Sequence, residues 1–171
     1  ATPVLAGDQT YSLGCTGTLN CLETRTGRVI WSRNILDDAG ADGAPAKNLE
    51  WGQSGSPLVV DDLLIANPGG PAGKSVIAYD RHSGDIVWTS ADYPASYGGA
   101  RVEEILGVRQ ALVFHGLGIS GFTLDTGREL WNFPWESMPK VNSAQPMLVA
   151  ENALVIGTGY GVGAARVELA V

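Results

Sequence analysis

The side chains that could act chemically are few and scattered. The two histidines, His82 and His115, fall at different places in a repeated unit, one in a turn and one at a strand end, which argues against a shared metal site. Asp37, Asp38 and Asp42 make an acidic stretch without the glycine and glutamate of a calcium loop, and it reads as solvated surface. Glu103 and Glu104 are neighbours on an extended segment, where successive side chains point to opposite faces, so they form no acid–base dyad. No Gly-x-Ser-x-Gly elbow occurs, and no Gly-x-Gly-x-x-Gly opens a helix. Cys15 and Cys21 flank a tight turn. With Thr16 and Gly17 as its central residues, Cys15 faces Thr18 and Cys21 faces Ser12, which predicts two free thiols. The residues therefore offer no catalytic set and no metal set.

What the chain does repeat is a phrase that positions things: an apolar run, a Thr-Gly or Ser-Gly turn, three residues and a tryptophan. It occurs at Cys21–Trp31, Ala78–Trp88 and Phe122–Trp131, with tryptophans 57 and 43 residues apart. A period of roughly 40–50 residues is that of one four-stranded propeller blade. The turn in the third copy reads as two residues shorter than in the other two. Thr2-Pro3-Val4, Ser56-Pro57-Leu58 and Gln145-Pro146-Met147 open further apolar runs. Proline is tolerated at a strand's first residue, because no ladder bond needs its missing N–H.

Each unit resolves into short strands between Gly, Asp and Thr turns. The first predicts strands over 2–5, 10–13, 18–23 and 28–31, and the second over 58–60, 63–66, 76–79 and 86–88. The third predicts 102–106, 111–114, 119–123 and 129–131, and the fourth three strands only, over 147–149, 153–156 and 165–169. With 23 glycines and 9 prolines and no sustained helical period, the expected fold class is all-β, a propeller of four repeats with the last incomplete. The repeats fall near residues 1–54, 55–98, 99–143 and 144–171, and both ends read as cut from something longer.

The phrase resembles the pyrroloquinoline-quinone (PQQ) repeat, the tryptophan-docking blade of quinoprotein-type propellers, and most closely the PQQ-like propellers related to the bacterial outer-membrane β-barrel assembly lipoprotein. The resemblance covers essentially the whole chain. It implies that Trp31, Trp88 and Trp131 dock between neighbouring blades and that Gly27, Gly84 and Gly127 occupy the turns. Burial of one such indole would contribute about 4–6 kcal/mol of transfer free energy. The quinone-using alcohol dehydrogenases of that kind carry a vicinal cysteine pair near the cofactor, and this chain has none.

In a four-stranded meander the blade-to-blade connections and the middle hairpins emerge on one face, opposite the Thr-Gly turns. That face collects the glycine-dense loops and a 22-residue connection from Ser32 to Gln53, far beyond the usual ~4–6 residues. Binding residues are expected there. The candidates are Trp51, Gln53, Ser54, Asn67, Tyr97, His115, Asn142, Ser143 and Tyr160. Glu50 and Asn67 are of types that ligate calcium in quinoproteins, but no motif fixes that role here.

A net charge of −7 without a basic cluster disfavours nucleic acid and anionic membranes, and no apolar run reaches the ~20 residues of a membrane span. The expected function is a non-catalytic propeller serving as a binding or scaffolding module. Its partner would be another protein, the remaining blades of a parent chain, or a second copy meeting its open blade edges. No cofactor is expected. The alternatives are part of a PQQ- and calcium-dependent dehydrogenase, or a domain sensing a small ligand such as a carbohydrate or peptide. The resemblance implies a periplasmic or other extracytoplasmic location.

Overall fold

The computed structural model describes residues 1–41 and 49–170. Fifteen strands make four antiparallel sheets. The first holds β1 (Val4–Ala6), β2 (Gln9–Leu13), β3 (Thr18–Glu23) and β4 (Val29–Asn34), followed by a four-residue helix α1 (Ile35–Asp38). The second holds β5 (Leu58–Val60), β6 (Leu63–Ala66), β7 (Val76–Asp80) and β8 (Ile86–Ser90). The third holds β9 (Arg101–Ile105), β10 (Val108–His115), β11 (Gly118–Thr123) and β12 (Glu129–Pro134). The fourth has three strands, β13 (Met147–Ala150), β14 (Ala153–Thr158) and β15 (Gly163–Glu168). Strands pair in sequence order within each sheet, so every sheet is a meander and the fold is an all-β propeller whose fourth blade is incomplete.

The apolar core lies between the sheets, because each central strand is apolar on both faces. On β7, Ile77 and Tyr79, with Leu64 of β6, face Tyr11 and Leu19 of the first blade, while Val76 and Ala78 face Val113 and Phe122 of the third. On β10, Ala111 and Val113 point back to the second blade, and Leu112 and Phe114 point on to Leu154 and Ile156 of the fourth. Period-two alternation thus glues blade to blade. Among the described residues the outermost sheets have no second neighbour, and Leu5, Met147 and Val149 are exposed.

One irregularity recurs. A β-bulge follows Cys21, Ala78 and Gly121, and these three small residues pair with Trp31, Trp88 and Trp131. A bulge re-aims the side chain beside it, and here it tips the indole along the ring of blades. The glycine comes six residues after the bulge in all three blades. The turns also close identically, with Gly27, Gly84 and Gly127 donating to the carbonyls of Glu23, Asp80 and Thr123. The expectation of a shorter third turn is therefore corrected.

Other boundaries moved as well. The outer strands run past the tryptophan to Asn34, Ser90 and Pro134. The long connection begins with α1, capped by Asn34, whose Oδ1 accepts from the N–H groups of Leu36 (3.0 Å) and Asp37 (3.4 Å). The first hairpin is registered one residue away from the expectation: Cys21 faces Tyr11, Ser12 faces Asn20, and Gly17 N–H closes the turn on Gly14 O. Both thiols are free, Cys15 exposed and Cys21 buried.

Candidate functional site

Three successive blade-to-blade connections meet on one face; the second and third are joined backbone to backbone, and the first is tied to the second through side chains, Ser54 Oγ on Tyr97 O and Trp51 N–H on the Tyr97 hydroxyl. Asn142 is the staple. Its carbonyl accepts from Tyr97 N–H (3.2 Å) and Gly98 N–H (3.0 Å), and its own N–H donates to Ser96 Oγ (2.6 Å). Its Nδ2 reaches His115 O (2.8 Å) and its Oδ1 accepts from Thr158 Oγ1 (2.7 Å). Ser96 in turn donates to Lys140 O, and Gln53 donates to Pro68 O.

Above this frame lies an open groove of about 460 Å³, walled by Glu50, Trp51, Pro94, Tyr97, Met138, Pro139 and Lys140. Trp51 is 60% exposed and Met138 83%, unusual for side chains of that size. Trp51 and Tyr97 meet with ring centroids 5.5 Å apart at 42°, and Trp51 N–H approaches the Tyr97 hydroxyl at 3.5 Å. The Met138–Pro139 peptide is cis. A surface of aromatic, proline and methionine walls with one acid and one base at its margin offers apolar contact to a chain-like ligand rather than proton transfer.

The sequence candidates divide sharply. Trp51 and Tyr97 form the groove, and Ser54 is exposed beside it, its hydroxyl held by Tyr97 O at 3.2 Å. Ser143 and Tyr160 are exposed elsewhere, Tyr160 in a left-handed turn with φ of 58°. Gln53, His115 and Asn142 are buried, so the expectation that they present to the open face is corrected: their polar atoms are spent on the loop framework. Asn67 is different again. Its amide nitrogen and oxygen are buried without a protein partner, beside a void of only about 10 Å³ shared with Gln53 and Ser56. That volume admits about one water.

His115 sits inside the second blade junction. Its ring stacks on Tyr93, centroids 3.8 Å apart and planes within 3°. Its Nδ1 accepts from Leu117 N–H at 3.3 Å, and Nε2 lies 3.1 Å from Ser120 Oγ, which also accepts from Asn132. The Tyr93 hydroxyl donates to the Glu129 carboxylate. Burial holds the His115 pKa down to about 4, so the imidazole is neutral and serves as a packed hydrogen-bonding plate. No group of three His, Cys, Asp or Glu able to hold a metal occurs among the described residues. Asp38 accepts from the Tyr79 hydroxyl, and Asp42 lies outside the described residues.

The sequence reading did not single out Pro94, Met138, Pro139 or Lys140. The usable signal was Trp51 and Tyr97 recurring just before successive inner strands: what stands in the next such connection, 136–142, is Met-Pro-Lys.

A PQQ cofactor would bring a planar quinone with three carboxylates, usually beside a calcium ion that wants 6–8 oxygen ligands. The groove offers one cation, Lys140, against the carboxylate of Glu50, which repels an anion and is the sole carboxylate ligand there. These residues do not fit the group.

The tryptophans have a distinct geometry. Trp31 Nε1 donates to Arg81 O in the second blade (3.0 Å), and Trp88 Nε1 donates to Leu124 O in the third (2.9 Å). Trp131 Nε1 turns back to Gln110 Oε1 in its own blade (2.6 Å). Each docked indole lies on a turn glycine. A Cβ on Gly84 would come within 2.8 Å of Trp31 Cδ2, and one on Gly127 within 2.3 Å of Trp88 Cε3, while one on Gly27 would meet nothing within 4 Å.

Comparison with known proteins agrees with this architecture. No curated protein sequence matches the chain significantly. Among solved structures, BamB from Moraxella catarrhalis superposes with a TM-score of 0.61 at 15% identity, over 98% of this chain and 45% of its own. The quinohemoprotein alcohol dehydrogenase from Comamonas testosteroni gives 0.61 at 20% identity, over 78% of this chain and 20% of its own. The computationally designed Ika4 protein gives 0.59 at 13% identity, over 98% and 89%. The chain thus spans under half the length of the two natural proteins, and at these identities the likeness is one of fold. A family profile described as outer membrane protein assembly factor BamB matches residues 1–169, and the chain belongs to that family of PQQ-type propellers.

Proposed function

We propose that this propeller is a non-catalytic module that binds another protein through the groove of Trp51, Pro94, Tyr97, Met138 and Pro139. The observation that carries the reading is the exposure of two large apolar side chains, Trp51 and Met138, on a shared concave surface of about 460 Å³. Aromatic residues and methionine are the types enriched at the buried centre of protein interfaces. Asn142 pins the Tyr97 connection to its own and Ser54 ties the Trp51 connection to Tyr97 O, so little ordering would be required on binding. The family description, an outer membrane protein assembly factor, supports a bacterial, extracytoplasmic setting and a partner that is itself a protein. The quinone-dependent alternative draws support from the alcohol dehydrogenase likeness, but the charge of the groove opposes it.

Site-specific photo-crosslinking in cells tests the reading. A crosslinker at Met138 is expected to join the protein to a discrete partner, and one at His82, in a turn on the opposite face, is not. Equal labelling at both positions, or none at Met138, would overturn it.

A further inference from the structure

The aromatic side chains of the groove differ from those elsewhere in what they do with their polar hydrogens. Trp31, Trp88, Trp131 and Trp135 each donate the indole N–H to a protein acceptor at 2.6–3.0 Å. Trp51, 60% exposed, has no acceptor for its indole N–H among the described residues. Tyr11, Tyr79 and Tyr93 likewise donate their hydroxyls within the protein. The Tyr97 hydroxyl only accepts, from Trp51 N–H, and its own proton is unspent among the described residues. Lys140 adds an ammonium without an ion-pair partner among the described residues. The backbone is the opposite case. The N–H groups of Trp51, Tyr97 and Lys140 and the carbonyls of Pro94, Tyr97 and Lys140 are all bonded within the loop framework. Pro94 and Pro139 have no N–H, and no wall residue lies in a strand. The groove thus offers side-chain donors and ring faces but no edge for strand pairing.

We infer that the partner segment in this groove is a proline-rich stretch in the polyproline II conformation, flanked by a basic residue; the inference rests on the protein-binding reading above and names what it binds. Polyproline II makes no internal hydrogen bonds, so its carbonyls stand outward as acceptors. Its prolines bring no N–H that would need an acceptor in return. A wall of donors matches that one-sided demand. Trp51 Nε1, Tyr97 Oη and Lys140 Nζ take the carbonyls, and the pyrrolidine rings pack on the faces of Trp51 and Tyr97, 5.5 Å apart at 42°. A ligand in β conformation would need acceptors for its N–H groups, which the committed backbone of the groove does not supply. The side-chain acceptor at the margin is the exposed carboxylate of Glu50, and with a net charge of −7 it favours an arginine or lysine beside the prolines. Polyproline II is formed to a large extent before binding, which keeps the ordering cost on the ligand side small as well.

The probe is a fluorescein-labelled oligoproline with an arginine at each end, read by anisotropy against the whole chain. A glycine–serine peptide and a threonine–valine peptide of equal length carry the same arginines. Saturable binding of the oligoproline alone is expected. Trp51→Ala should weaken it at least tenfold. Trp51→Phe and Tyr97→Phe, which keep a ring and lose a donor, should each weaken it about three- to tenfold. Glu50→Gln should weaken it about two- to fivefold, and by less in high salt. His82→Ala on the opposite face should leave it unchanged, and a melt of each variant checks that the fold is kept. Oligoproline binding no tighter than that of the glycine–serine peptide, tighter binding of the threonine–valine peptide, or phenylalanine variants that bind like the unaltered chain would overturn the inference. The groove itself is judged separately by the crosslink from Met138. A discrete partner there, together with no oligoproline binding, removes the proline-rich ligand and keeps the protein-binding groove.

Discussion

Trp88 and Trp131 occupy the same place in the same repeated phrase, opposite a small residue at the same bulge, four residues after the same glycine. Yet Trp88 is 7% exposed, lies on Gly127 of the next blade and hydrogen-bonds across the junction, while Trp131 is half-buried and bonds within its own blade. The phrase aims an indole along the ring, but the neighbour decides whether it docks. A second fastening reinforces the closed junction: Tyr93, in the connection between β8 and β9, stacks on His115 of β10 and donates to Glu129 of β12. The third junction is fastened differently: Trp135 stacks on Phe133 and donates to Thr158 of β14, while Met147 and Val149 of the fourth sheet remain exposed.

This contrast can be broken at its strongest point first. Trp88→Ala should cost about 3–5 kcal/mol, the range for a large aromatic removed from a core. Trp131→Ala should cost about 1–2 kcal/mol, for one hydrogen bond and partial burial. Urea denaturation of the two variants measures both, and equal losses would erase the distinction drawn here. The receiving turns give the next test. Gly127→Ala suffers both left-handed strain and collision with Trp88, together about 2–5 kcal/mol. Gly27→Ala meets open space and should pay only the backbone strain, about 1–2 kcal/mol. Thermal melts of the pair provide the comparison.

The His115 plate gives the closed junction a pH signature. Burial depresses the folded-state pKa to about 4, below the ordinary value of 6.5. The unfolded chain therefore takes up the proton first as pH falls. The stabilisation is complete above about 6.5, is lost progressively between 6.5 and 4, and changes no further below that. His115→Gln should flatten this part of the Tm-against-pH curve, and a curve of unchanged shape would show that the ring does not titrate with folding. The smallest effect belongs to the rim of the same junction. Arg109 and Asp61 form a two-pronged ion pair there at 2.7 and 3.1 Å, with both side chains half-exposed. Arg109→Ala should cost under about 1 kcal/mol and still less in high salt.

Periodicity carried the fold reading because the repeated element is covalent and local: Pro at the strand start, Gly in the turn, Trp four residues later. The register of the first hairpin was missed by one residue because Gly14 and Gly17, rather than Thr16 and Gly17, frame its turn. The groove was only half legible. Trp51 and Tyr97 announce themselves as aromatics in loops, whereas Met138 and Pro139 reach the site only because Asn142 folds their connection under Tyr97. His115 and Asn142 misled for a related reason. Position in a loop places a backbone on a face, but side-chain direction follows from hydrogen bonds between loops distant in sequence, such as Asn142 to Ser96.

The claim that matters most for function is that the open face binds protein and does not hold a quinone. A thermal melt of the chain with and without PQQ and Ca²⁺, monitored also by quinone absorbance, addresses it directly. A ligand at a hundred times its Kd would add about 2.7 kcal/mol of stability. The account predicts no shift and no quinone band retained after desalting. A retained band with a shift in Tm, both removed by Trp51→Ala, would contradict it and make the groove a cofactor site.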